Sequence, residues 1–179
     1  MKRTLCAILC AAAVGLCITS CSKAPEEGYA TMQSESCDFT FEYPADWTET
    51  YKDGMLSVTK LGDVSGANIV GFSFRHGLES TPTSMEYWSV YENQLSETFK
   101  NVNVNEVLPV ELGGAEQVKA FYTVTIGEEV FEKETLLIVY GDKVYTLTLT
   151  QGSWMGEKPE GFEDFSAEFE NSIKSFRIK

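Results

Sequence analysis

Residues 102–150 read VNVNEVLPVELGGAEQVKAFYTVTIGEEVFEKETLLIVYGDKVYTLTLT. Four runs rich in β-branched and aromatic residues, 102–112, 115–126, 130–140 and 144–150, are separated by Gly113-Gly114, Gly127-Glu128-Glu129 and Gly141-Asp142. Short glycine-bearing joints between such runs are hairpin signals. The stretch predicts four consecutive antiparallel strands. Leu136–Tyr140 is apolar without interruption, which suits a central strand covered on both faces.

Working towards the N-terminus, Ile69–His76 is a further strand, with Val70, Phe72 and Phe74 on one face and His76 at its end. Met55–Leu61 follows Asp53-Gly54, another hairpin signal. Asp38–Tyr43 alternates with Phe39, Phe41 and Tyr43 on one side, and Pro44 stops it. Pro44-Ala45-Asp46-Trp47 reads as a turn that returns Trp47 to the sheet. Between 83 and 100 the period changes. Thr83 and Glu86 have capping-box spacing, and Trp88, Tyr91, Leu95 and Phe99 form one helical stripe. A second helix is predicted by Phe162, Phe165, Phe169, Ile173 and Phe176, with Pro159 near its start and Glu160, Glu163 and Asp164 in its first turn. Ser175–Ile178 leaves it as an edge strand. A run of hairpins with helices after the third strand and at the end is α+β: an antiparallel sheet of about six or seven strands packed by amphipathic helices.

Three pieces of this pattern carry a family likeness. Tyr43-Pro44-x-x-Trp47 ends an aromatic strand, Gly141-x-x-Val144-Tyr145-x-Leu147-Thr148 lies in a late hairpin, and Ile173-x-x-Phe176 closes the last helix. Together they resemble the PsbP-like domains, which share an α/β/α sandwich with the Mog-type Ran-binding proteins. The resemblance covers residues 38–178. It implies an antiparallel sheet between helical layers and a non-enzymatic domain that works by contact with partners. The docking of the photosynthetic members onto photosystem II is not carried over, because the N-terminus belongs to another targeting context.

That N-terminus has two charges in Met1–Arg3 and then an uncharged stretch from Leu5 to Ile18, the n- and h-regions of a secretory signal. The stretch falls short of the roughly twenty apolar residues needed to span a bilayer. Ile18-Thr19-Ser20-Cys21 resembles the bacterial lipobox, which implies cleavage before Cys21 and a diacylglycerol on its sulfur. Two acyl chains satisfy the two-signal condition for stable anchoring. The expected organisation is a lipoprotein signal over 1–20, a flexible tether over 21–36 and a domain over 37–179. A flexible coil of that tether's length reaches about 20 Å. The expected location is the extracytoplasmic face of the cell membrane. An ordinary signal peptide with a coincidental cysteine is the alternative.

Composition narrows the function. The 179 residues carry 14 Lys+Arg against 27 Asp+Glu, a formal net charge of −13. Such a chain repels phosphate backbones, so no nucleic-acid partner is expected. One histidine excludes multi-His metal sites. His76 is the sole imidazole base, but no Gly-x-Ser-x-Gly element accompanies it. Phosphate-loop and dinucleotide motifs are missing, as is Cys-x-x-Cys, and no cofactor is expected. Glu128/Glu129, Glu132/Glu134 and Glu157/Glu160/Glu163/Asp164 are abundant carboxylates. Nothing in their placement encodes two carboxyls facing across a cleft, and EF-hand calcium spacing is absent. Cys37 is left as a lone thiol once the signal departs, and a small buried hydrophobe is its simpler reading.

Most of the eleven Phe, eight Tyr and three Trp fall on core stripes. Trp154-Met155 does not; it sits between Gly152 and Gly156 in an expected loop. Trp and Met are enriched at recognition surfaces, which makes Trp154 and Met155 candidate partner contacts. The alternative is that Trp154 folds back over the sheet's end. The functional expectation is a membrane-anchored binding or accessory module with a protein or cell-envelope partner. An exported hydrolase using scattered carboxylates is the runner-up.

Overall fold

The computed structural model describes residues 24–61 and 66–179. Its centre is a seven-stranded antiparallel sheet in the order β4-β5-β6-β10-β9-β8-β7. The strands are β4 (Thr48–Lys52), β5 (Met55–Lys60), β6 (Ala67–Arg75), β7 (Asn101–Leu112), β8 (Ala115–Ile126), β9 (Glu129–Tyr140) and β10 (Lys143–Trp154). The four predicted late strands are all present, joined by the predicted glycine turns. At Gly141 (φ 62°) and Gly127 (φ 66°) the backbone is left-handed, a conformation that side-chain-bearing residues resist. This is the expected α+β architecture.

Each face of the sheet has its own core. On one lies α1 (Ser84–Thr98), whose N-cap is Thr83. The Thr83 hydroxyl accepts from the Glu86 N–H while the Glu86 carboxylate accepts from the Thr83 N–H, so the capping box is complete. Trp88 and Leu95 are buried against Val118, Ala120, Tyr122 and Val124 of β8. Tyr91 and Phe99, the rest of the stripe, pack at the margin of that core.

The opposite face is covered by pieces from both ends of the chain. They are β1 (Tyr29–Thr31), β2 (Phe39–Thr40), β3 (Glu42–Pro44), α2 (Ser166–Ser175) and β11 (Arg177–Ile178). β1 pairs with β3, and β11 with β2, as two small ribbons outside the main sheet. Phe39, Phe41, Tyr43, Trp47, Phe165, Phe169, Ile173 and Phe176 fill the space beneath them. Phe39 stacks on Phe176 at 5.6 Å and lies so close to Gly71 that a Cβ there would meet its ring at 2.7 Å. Gly71 is the notch that admits the aromatic layer. Helices on both faces make the α/β/α sandwich.

Several expectations need revision. The aromatic strand 38–43 is not a sheet strand; it divides into β2 and β3, because each half finds a different partner outside the main sheet. Its alternation survives, since Phe39, Phe41 and Tyr43 are all buried. β4 was not foreseen, because Thr48–Lys52 lies at an exposed edge and no apolar alternation marks it. Residues 29–32, placed in the tether, join the fold: Ala30 packs on the core, Met32 is buried, and the Tyr29 hydroxyl accepts from Asn171. α2 starts at Ser166, so Pro159, Glu160, Phe162, Glu163 and Asp164 precede it. The buried Gln151 ties that approach to β10, accepting from the Phe165 N–H at 2.9 Å and donating to Asp164 at 3.2 Å. The signal, the lipobox and Cys21 lie outside the described residues. Among the described residues no helix is long and apolar enough to cross a membrane.

Candidate functional site

The β8–β9 ladder stops at Val118↔Leu137, although β8 begins at Ala115 and β9 runs on to Tyr140. Meanwhile the β7–β8 hairpin stays paired to its tip at Leu112↔Ala115. The hairpin end therefore parts from β9. On the α1 side the gap is closed by the buried Ser84, whose hydroxyl donates to Gln117 Oε1 (2.6 Å) and accepts from the Val139 N–H (2.9 Å). This satisfies a strand N–H that the lost ladder would leave orphaned.

The other side of the gap is open. A cleft of about 790 Å³ runs between the β7–β8 hairpin, the end of β9 and the C-terminal segment. Leu112, Ile138, Phe176 and Ile178 give it an apolar floor, and Tyr140 stands at its edge, 67% exposed. Lys174, Arg177 and Lys179 also line it, with Glu111 the single acid among the lining residues. In a chain of net charge −13 such a grouping is unusual.

Five of the other described cations are neutralised, while Lys52, Lys100 and Lys133 have no ion pair. Lys60 pairs with Asp46, Arg75 with Asp142, Lys143 with Asp38, Lys158 with Glu132, and Lys119 with both Glu134 and Glu170. Lys174, Arg177 and Lys179 make no ion pair among the described residues. Arg177 instead donates to the Lys174 and Phe176 carbonyls (2.8 and 2.6 Å), which caps the end of α2. Lys179 Nζ donates to the Ser34 carbonyl at 3.1 Å. The cleft thus offers positive charge above an apolar floor.

The residues singled out in the sequence lie elsewhere. Trp154 is the last residue of β10, paired with Val130 beyond a bulge, rather than a loop residue. Its ring meets Phe162 edge-to-face at 5.3 Å, and Lys158 Nζ sits 4.3 Å from the Phe162 centroid. Trp154 is half-buried, whereas Met155 is 67% exposed. Since Tyr140 and Val130 mark opposite ends of β9, the Trp154 cluster and the cleft stand about 30 Å apart. The structure does not bring them together.

His76 uses both ring nitrogens structurally. Nδ1 accepts from the Leu78 N–H at 3.0 Å, so Nε2–H donates to the Gly141 carbonyl at 3.1 Å. Cys37 is buried, and burial outweighs a Ser34 contact to push its thiol up, away from the reactive thiolate. The carboxylates do not converge. Glu128 and Glu129 are exposed at a turn, and Glu132 is held by Lys158. Glu134 is buried beside Lys119 at 2.5 Å, within ion-pair range although not aligned for a hydrogen bond. Burial raises the Glu134 carboxyl more than Lys119 lowers it. Glu157, Glu160 and Glu163 are exposed, and Asp164 accepts from the Ser166 N–H and hydroxyl. Among the described residues no three His, Cys, Asp or Glu side chains gather as metal donors.

Sequence reasoning passed over the cleft cations. One signal was available: residues 174–179 read KSFRIK, three cations interleaved with two apolar residues in an acidic chain. It also passed over Lys133. That amine lies under α1, donates to Thr150 Oγ1 at 2.6 Å, and is lowered by burial to about 8.

No protein-family model matches the chain, and no curated sequence does. Solved structures do. A Bacteroides thetaiotaomicron protein aligns with TM-score 0.55 and 15% identity over 85% of this chain; the match spans about half (49%) of that longer chain. Cyanobacterial PsbP (CyanoP) from Synechocystis aligns with TM-score 0.63 and 12% identity, over 90% of this chain and 99% of that one. The Ran-binding protein Mog1p of Saccharomyces cerevisiae aligns with TM-score 0.58 and 8% identity, over 84% and 95%. At such identities the likeness concerns the backbone alone. The chain therefore has the PsbP/Mog-like α+β fold.

Proposed function

We propose that this protein is a lipid-anchored binding module of the extracytoplasmic membrane face, with Cys21 as the acylated residue. It acts by holding a cell-envelope component and not by turnover. The observation that carries the reading is the cleft, where three unpaired cations face an apolar floor in an otherwise acidic molecule. The fold likeness supports it, since one similar structure is named for binding Ran. The free carboxylates that hydrolysis requires are dispersed or paired.

The anchoring test is Cys21→Ala. The variant is expected to leave the detergent phase and to keep an unprocessed mass. Unchanged partitioning with the same mature mass would refute the anchor. For binding, a photoreactive residue at Tyr140 should yield an adduct in the native envelope. Lys174→Glu/Arg177→Glu should reduce that adduct at least tenfold, and Lys174→Glu alone, which leaves the Arg177 cap in place, should reduce it without changing the melting temperature. If no adduct forms, or if charge reversal leaves it intact, the cleft is not the binding site.

A further inference from the structure

The chemistry of the cleft narrows what it can hold, and this step rests on the binding reading above. A volume of about 790 Å³ lies in the range of small-molecule sites rather than of a flat protein interface. Its floor is hydrocarbon: Leu112, Ile138, Phe176 and Ile178. Water held there has few polar partners, so an apolar body that displaces it gains free energy. The cations sit on one flank, because β11 alternates along its length. Arg177 is exposed while Ile178 turns towards the core. Lys174 follows from the last turn of α2, one helical turn before.

Charge decides the rest. The sheet, its turns and the approach to α2 carry excess acid, so an anion is repelled from most of this surface. Lys174, Arg177 and Lys179 reverse that locally, and no side-chain carboxylate among the described residues pairs with them. The Arg177 guanidinium uses Nη1 for the α2 carbonyls and has further donors in its fork. A carboxylate or phosphate fits such a fork.

We infer that the cleft binds an amphiphilic small molecule, with an apolar body over Leu112, Ile138, Phe176 and Ile178 and an anionic head at Lys174, Arg177 and Lys179. The head comes from one of two sources of the same chemistry, an alkyl carboxylate or an alkyl phosphate. A cationic or neutral amphiphile of the same length lacks the electrostatic share of the affinity. Added salt weakens binding, because the cations are exposed and screened.

The experiment titrates the full chain with octanoate and with octyl phosphate, using octanol and octyltrimethylammonium as controls. Saturable binding of at least one anion is expected, at least tenfold tighter than either control. Whichever anion binds more tightly identifies the head group. Lys174→Glu/Arg177→Glu should weaken it at least tenfold. Because Arg177 also caps α2, a second variant guards against a folding artefact. Ala115→Trp fills the cleft from an exposed position and should abolish binding with the melting temperature unchanged. Failure of both anions at millimolar concentration overturns the inference, as does equal binding by octanol or by Ala115→Trp. If the anions fail while the Tyr140 adduct still depends on Lys174 and Arg177, the ligand class is wrong and the binding site stands. If the adduct fails too, the site itself is wrong.

Discussion

The two faces of the sheet are covered in opposite ways. On one, a single helix supplies Tyr87, Trp88 and Leu95 from one continuous stretch and closes over β8. On the other, five short elements drawn from residues 29–44 and 166–178 share the work. Both layers are well packed where aromatic side chains reach, with Phe39, Phe41 and Phe169 at 1% exposure or less on one face and Tyr87 and Trp88 at 2% and 4% on the other. The composite layer nevertheless ends before it covers the parting of β8 from β9, and the cleft is what remains. A helix cut from one stretch can be trimmed to fit its surface. A cover assembled from two chain ends has seams, and a seam is where a binding site can form.

The comparison can be broken first at the core. Phe169→Ala should cost about 4 kcal/mol in urea unfolding, by lost burial and an unfilled cavity. Trp88→Ala, on the α1 face, should cost about 3 kcal/mol; its indole N–H already lacks a partner, which offsets part of the loss. Hydrogen exchange should show the first substitution loosening β2, β3 and β11 and the second loosening α1. A loss below about 1 kcal/mol for either would mean that face does not depend on the stripe assigned to it.

Gly71→Ala tests the notch. The added methyl would collide with Phe39, a neighbour locked in the aromatic stack, so a loss of about 2 kcal/mol is expected. The same substitution at Gly113, where the backbone is left-handed but no atom lies within 4 Å, should leave the composite layer intact. Equal effects on β2 exchange at both positions would remove the notch from the account.

Acid should loosen the composite layer. Burial pushes the Asp38 carboxyl up, but Lys143 at 2.5 Å and hydrogen bonds from Ser73 and Tyr145 outweigh it, so its value is lowered. A carboxyl lowered by folding contributes stability above its ordinary value of 3.8, and that contribution is lost as pH falls through the lower folded value. Asp38 clamps the start of β2 to β6 and β10. Asp38→Asn should therefore cost about 1 kcal/mol near neutrality and little in strong acid. A pH-independent loss would show that only packing was disturbed.

An effect of similar size concerns the α1 cap. Thr83→Ala should cost about 1 kcal/mol, because the hydroxyl accepts one of the orphan N–H groups of the first turn. Exchange in the first turn of α1 should rise while β2, β3 and β11 stay unchanged. Coupled loosening at β11 would contradict the independence of the two layers.

What could be read in advance follows the range of each interaction. The capping box, the α1 stripe and the late hairpins depend on residues within a few positions of one another, and all were legible. The tether expectation failed at Tyr29–Met32, because their partners, Asn171 and the Phe41 carbonyl, lie across the fold. The Trp154 candidate was an off-pattern aromatic whose surroundings the sequence does not state; Phe162 and Lys158 cover it, ten residues or fewer away but without periodicity.

By itself the sequence determined the strand run, the α1 stripe and the acidic balance. Periodicity and turn chemistry are local, and charge is additive along the chain. Only the tertiary structure decided where β8 leaves β9, which aromatics roof the second face, and that residues 111–117, 138–140 and 174–179 share one cleft. Those are consequences of register and of long-range packing. A strand's pattern says which side faces inward, but not where its pairing ends or which distant segment will stop short of the gap.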